Sequence, residues 1–253
     1  MELSIRRNHE AAVSKSGADE VYIVFADEYE EGDEIVFNPD SAGYYFLDLG
    51  LGKNILYSDG NIFTFPIPFG EKRFPYNPES FGGALHYLYA RRAFDFELSY
   101  RNVSENVYDW HGNSTMFPHS KANIETRGES VFASRNAFDG VVASSGHGKW
   151  PYESWGINRD PNAELSLDFG REVTIDRIVF YTRADFPHDA WWDNATIAFS
   201  DGSELEFPLE KKDGAQTFEI EPRKVSSLVL KELIKSYDPS PFPALIQLMA
   251  FGE

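Results

Sequence analysis

Residues 163–169, AELSLDF, put Ala163, Leu165, Leu167 and Phe169 on one side of an extended chain and Glu164, Ser166 and Asp168 on the other. A period of two is what a half-buried antiparallel strand requires. It is the pattern that most constrains this fold. It returns in ELEFPL, where Leu205, Phe207 and Leu209 alternate with Glu204, Glu206 and Pro208, and in TFEIE, where Phe218 and Ile220 alternate with acids. Turn signals such as DFGRE, SDGSE and KKDGA separate these runs. No apolar repeat at helical spacing persists beyond about two turns. Short strands at roughly ten-residue spacing suggest a sandwich or barrel.

The first half gives the same reading less cleanly. VYIVFA (21–26), DEIVF (33–37), GYYFLDLG (43–50), NIFTFPIP (61–68) and AFDFEL (93–98) are candidate strands. ALHYLYARRAF (84–94) is open to helix or strand, and its Tyr and Phe content favours strand. Residues 102–123 are polar and aperiodic. The expectation is therefore an all-β chain of two antiparallel β-sandwich domains, residues 1–115 and 116–253. With 253 residues each half can bury a core.

Charge and composition narrow the function. Asp and Glu outnumber Lys and Arg by 41 to 23, a formal charge of −18. That sign repels nucleic-acid phosphates and anionic lipid, so neither nucleic acid nor membrane is an expected partner. It favours a neutral or cationic ligand. The chain has no cysteine, which excludes disulfides and thiolate metal sites. MELSIRRNHEAAVSKSGADE lacks the apolar segment of a signal peptide, so the expected location is the cytoplasm. Sequons at Asn102, Asn113 and Asn194 matter only in a secreted eukaryotic chain. The acidic run ADEYEEGDE (26–34) reads as a solvated hairpin loop, since its spacing matches no calcium loop. G-x-S-x-G, H-E-x-x-H and the phosphate-binding P-loop are absent. Paired carboxylates for glycoside hydrolysis stay open, because an acidic chain offers too many pairs to choose among.

Three loops concentrate aromatic and titratable groups. TRADFPHDAWWDN (182–194) holds Arg183, Asp185, His188, Asp189, Trp191 and Trp192 around Pro187. HGKWPYESWG (147–156) holds His147, Trp150, Tyr152 and Trp155. SYDPSPFPALIQ (236–247) adds Phe242. The apolar face of a sugar packs on an aromatic ring, and its hydroxyls need directional polar partners. Adjacent residues entering a strand point in opposite directions, so one of Trp191 and Trp192 is expected in the core and the other at a ligand. Arg183 and His188 would orient ligand groups, with Asp185 or Asp189 fixing them.

SVFASRNAFDG (130–140), ELSLDFGREVTIDRIVFYT (164–182), SDGS (200–203) and ALIQLMAFG (244–252) together resemble the discoidin family, the coagulation-factor type C domain, over about residues 118–253. TRADFPHDAWW and DPSPFPAL resemble bacterial discoidin-like carbohydrate-binding proteins. The resemblance implies a jelly-roll sandwich with ligand loops at one end and, in many members, a structural Ca2+. Carried onto this sequence, the calcium ligands would be Asp139 and the Ser144 hydroxyl, with Gln247 where the family has Glu. Losing that carboxylate leaves calcium and a metal-free turn both open. Trp155 is expected to pack inside, leaving Trp150 and Tyr152 for ligand. The leading function is a non-catalytic carbohydrate-binding protein. The rivals are a glycan-active enzyme with its chemistry in the first half or between the halves, and an interaction module whose aromatic loops dock the halves or another protein.

Overall fold

The computed structural model describes every residue except 186, 187 and 189. In chain order the strands of the first half are β1 (Glu2–Arg7), β2 (Glu10–Ser16), β3 (Glu20–Phe25), β4 (Glu34–Asn38), β5 (Gly43–Asp48), β6 (Lys53–Ser58), β7 (Phe63–Pro66) and β8 (His86–Arg92). Those that follow are β9 (Arg101–Asn102), β10 (Met116–Phe117), β11 (His119–Ala122), β12 (Trp155–Gly156), β13 (Leu165–Thr182), β14 (Trp192–Phe199), β15 (Glu204–Pro208), β16 (Gln216–Lys235) and β17 (Ala244–Gly252). Among the described residues helix is confined to short 3-10 segments such as Ser134–Phe138. The architecture is all-β, with two β-sandwich-like units.

The first unit packs the sheet β2-β1-β4-β7 on the sheet β10-β6-β5-β8-β3. Alternation sets which residues meet between them: Val21, Ile23 and Phe25 of β3 turn inward while Tyr22 and Val24 face out. They join Leu3, Ile5, Phe37, Tyr45 and Phe65 in one core. In the acidic run Arg7 supplies the internal cation, donating to both oxygens of buried Asp33 at 3.0 and 2.8 Å and to Asp27 and Glu30 at 3.1 and 2.8 Å. Residues 93–98 depart from the expected strand. Asp95–Leu98 is a 3-10 turn, because the Glu97 carboxylate accepts the Phe94 N–H at 2.8 Å and is held by Arg91.

The second unit is one sheet of eight strands, β12-β17-β13-β16-β14-β15, with β11 on β13 and β9 on β17. Its strands are not all short. β13 has 18 residues and β16 has 20, and their register breaks between Asp168 and Val173 and again between Ile175 and Arg177. Such irregularities bend a strand. The first part of β13 pairs with β11 and β16, the last part with β16 and β17. Leu165, Leu167, Phe169, Phe180, Trp192 and Leu228 share the buried core.

Between β8 and β11 the chain alternates between units. β9 pairs with β17 in the second, β10 with β6 in the first, and β11 with β13 in the second. Tyr108 belongs to the core of the first unit and accepts the Leu49 N–H at 2.6 Å. Across the contact Arg171 donates to the Tyr44 hydroxyl at 2.7 Å. Arg135 stands 4.6 Å over the Tyr76 ring, and the Lys149 ammonium 3.6 Å over Phe74.

Candidate functional site

At the end of the second unit where β13 leaves the sheet and β17 enters it, a cavity of about 180 Å3 opens. Phe242, His188, His147 and Arg183 form one wall. Thr126, Arg127, Phe132, Asn158 and Arg159 face them. The wall is built from the inside out. Arg183 lies buried with Nε 2.9 Å from Asp185 Oδ1, while its N–H groups are aimed at the carbonyls of His188, at 3.3 Å, and Phe242. Burial lowers the guanidinium pKa and the Asp185 charge opposes that. The other Asp185 oxygen is 2.5 Å from His147 Nδ1. His147 meets His188 edge to face at 4.8 Å, and His188 meets Phe242 likewise at 5.3 Å. One buried ion pair therefore fixes a row of three rings. Phe242 is 39% exposed at the end of that row.

Backbone geometry marks the opposite side. Arg127, Asn158 and Arg159 all adopt positive φ, at 54°, 50° and 61°. Left-handed backbone is unfavourable in non-glycine residues and collects at functional loops. Among the described residues six non-glycines do this, and three of them line this cavity. The Thr126 hydroxyl holds the turn by accepting the Asn158 N–H at 2.9 Å.

The structure gathers Arg183, Asp185, His188 and Phe242 here. It places the tryptophans elsewhere. Trp192 opens β14 in the core at 1% exposure. Trp191 is also buried, at 7%, edge-on to Tyr237 at 5.6 Å and below the Lys211 ammonium at 5.6 Å. Alternation does send them to different neighbours, yet neither lines the cavity, because Tyr237 and Lys211 cover the face that Trp191 would have offered. Trp150 turns to the first unit instead. It is 36% exposed, its N–H donates to the Phe74 carbonyl at 2.8 Å, and its ring helps line a small cavity with Leu51 and Tyr76. The Tyr152 ring covers Gly146, where a Cβ would come within 2.8 Å of it. Trp155 is fully buried and donates Nε1 to the Ile124 carbonyl at 3.0 Å. The expected role of Asp189 and the position of Pro187 lie outside the described residues.

A family model described as a domain of unknown function, DUF7402, matches residues 119–236. No curated protein matches the chain. Among solved structures it is similar to chitosan-binding module 1 of a chitosanase/glucanase from Paenibacillus sp. IK-5, with 16% identity over 60% of this chain and 99% of that one and a TM-score of 0.42. It is similar to a fucose-binding module of Streptococcus pneumoniae, at 12% identity over 60% and 98% with a TM-score of 0.44. A family 32 carbohydrate-binding module of C. perfringens, solved in complex with galactose, gives 19% identity over 52% and 91% with a TM-score of 0.39.

The residues implied as calcium ligands do not fit the ion. Asp139 and Gln247 do meet, but Gln247 presents its amide N–H to Asp139 Oδ1 at 2.8 Å and uses its oxygen to accept the Gly140 N–H at 3.0 Å. The other Asp139 oxygen faces the buried Arg135 guanidinium at 3.5 Å. A cation of the chain itself already serves this carboxylate. Ser144 is turned away, its hydroxyl donating to Asp213. Among the described residues no group of three or more His, Cys, Asp or Glu side chains is placed to hold a metal.

Beside this pair lies Glu153, buried with neither carboxylate oxygen hydrogen-bonded. Burial pushes Glu153 up to about 8, with the Asp139 charge adding to it, and Asp139 up to about 6. Arg135 and the Gln247 and Val141 N–H donors oppose the rise at Asp139, so Asp139 ionises first.

Sequence reasoning missed Arg159, Asn158 and Phe132 on the cavity and Arg135 beside Asp139. GINRDPN offered a turn signal at Asn158, but nothing in it tells which loop it faces. Arg135 lies in the 3-10 segment Ser134–Phe138, which Asp139, four residues on, caps. That spacing was visible in RNAFD.

Proposed function

We propose that this chain is a non-catalytic carbohydrate-binding protein whose second unit is a discoidin-like jelly roll, and that the cavity beside Phe242 holds the glycan. The observation that carries this reading is an exposed aromatic ring held inside a polar cavity by a buried network. A sugar ring laid on Phe242 covers its apolar face, and the His188 and His147 imidazoles and the Asn158 amide meet its hydroxyls. The groups are fixed before ligand arrives, which lowers the ordering cost of binding. Arg183 and Asp185 position the wall in this reading and do not themselves need to touch ligand. No bond is made or broken.

For Trp150 a second reading has its own support. The Trp150 N–H bond to Phe74 and the Lys149 contact with the Phe74 ring make the 147–152 loop a brace between the units.

The test is a glycan array on the intact protein, with and without calcium, followed by titration of the best ligand into wild type and Phe242→Ala. Binding that survives Phe242→Ala unchanged would move the site elsewhere.

A further inference from the structure

The sign of charge inside the cavity runs against that of the chain. Acids exceed bases by 18 overall, yet the described residues lining this cavity include Arg127, Arg159 and Arg183 and no Asp or Glu. Two of the guanidiniums have carboxylates of their own. Arg183 has Asp185 behind the wall, and Arg127 donates to Glu129 at 2.6 and 2.8 Å. Arg159 has none among the described residues. It is exposed, and its guanidinium stands over one face of the Phe242 ring, 5.4 Å from the centroid, which leaves the other face for a ligand. At about 0.1 M salt a charge is screened beyond about 10 Å. A ligand seated on Phe242 therefore responds to Arg159 more than to the acids spread over the rest of the surface.

Resting on the reading of this cavity as a glycan site, we propose that its ligand is an acidic glycan, one whose sugar ring stacks on Phe242 while a ring carboxylate pairs with Arg159. A guanidinium matches a carboxylate in shape as well as charge, taking it in two parallel hydrogen bonds. The imidazoles of His147 and His188 remain for hydroxyls. Arg159 is thus the residue that sets preference between an acidic and a neutral sugar of the same shape. Its backbone is left-handed, with a φ of 61°.

The experiment is calorimetric titration of the intact chain with a galacturonic-acid oligomer and with its neutral methyl ester, at low and moderate salt. The variants are Arg159→Asn, which suits left-handed backbone, Arg159→Lys and Phe242→Ala. Wild type should bind the acid about tenfold or more tightly than the ester, as a charge-assisted hydrogen bond provides. Salt should shrink the ratio. Arg159→Asn should bring acid and ester level, Arg159→Lys should keep part of the preference, and Phe242→Ala should weaken both ligands. Equal affinity for acid and ester in wild type, or a preference unchanged in Arg159→Asn, overturns the acidic-ligand inference and leaves the glycan reading standing. Binding to neither ligand, with no glycan bound on the array, overturns both.

Discussion

Replacing Glu153 by Gln should change how stability depends on pH. Glu153 is 1% exposed and neither of its carboxylate oxygens is hydrogen-bonded. Its nearest charges are Asp139, which repels its ionised form, and Arg135, which Asp139 already engages at 3.5 Å. The folded protein therefore keeps Glu153 protonated, up to about pH 8, while the ordinary value is 4.5. Between those values the native state holds a proton that the unfolded chain has released. Stability must then fall as pH rises. The contribution is fully present below 4.5 and is lost by the time pH passes 8. At about 1.4 kcal/mol per pH unit, the full loss is on the order of 5 kcal/mol. With the interior free to relax around the newly charged carboxylate, the expected loss is roughly 2–4 kcal/mol.

Glu153→Gln keeps the shape and removes the titration. Urea denaturation followed by tryptophan fluorescence between pH 5 and pH 8.5 makes the comparison. The five tryptophans include the buried Trp155 and Trp192, so unfolding changes the signal. General repulsion in a chain of charge −18 lowers both curves alike, and the difference between them isolates Glu153. The two proteins should be close at pH 5, and the variant should be the more stable by a few kcal/mol at pH 8.5, at unchanged denaturant slope. Parallel curves across the whole range would refute the argument and mean that Glu153 reaches water or a partner.

Phe242→Ala should lower glycan affinity by about 1–3 kcal/mol if sugars stack as bases do, with little change in melting temperature because the ring is partly exposed. Trp192→Ala should cost on the order of 3–5 kcal/mol of stability and Trp191→Ala less, with glycan affinity unchanged in whatever folds. A stable Trp191→Ala that loses affinity would put the ligand against that loop. Calcium or a chelator should leave the melting temperature where it is, since Arg135 serves Asp139. Asp139→Ala should destabilise by roughly 3–5 kcal/mol by stranding that guanidinium in the interior. A calcium-dependent melting temperature that Asp139→Ala abolishes would restore the metal.

What could be read from the sequence follows from the range of the interaction involved. β13 and β15 show in the alternation of AELSLDF and ELEFPL because one face of each strand meets a core and the other meets water. β1 and β2 left no such trace. ELSIRR has three consecutive buried positions, and EAAVSKS is exposed along almost its whole length as an edge strand. β1 pairs with β4, outside the segment, on one side and with β2 on the other. AFDFEL alternates as a strand should, but one carboxylate, Glu97, reaching back to the Phe94 N–H decides for a turn.

The site divides the same way. Arg183, His188 and Phe242 stand out in loops that concentrate aromatic and charged residues. A local motif cannot say which of its rings the rest of the chain will cover: Tyr237 and Lys211, from two other loops, close over Trp191. Nor can it show which distant loop stands opposite. Arg159 reaches Phe242 only because β12 pairs with the start of β17, setting Gly156 beside Ala244. Arg7 among the acids of 27–33 and Arg135 at Asp139 obey one rule: a buried carboxylate must find a positive partner. A sequence advertises the carboxylates as a run or a motif. The arginine that answers them can come from a neighbouring strand or from one turn upstream, and an acidic cluster therefore points to a metal only after the chain's own guanidiniums have been placed.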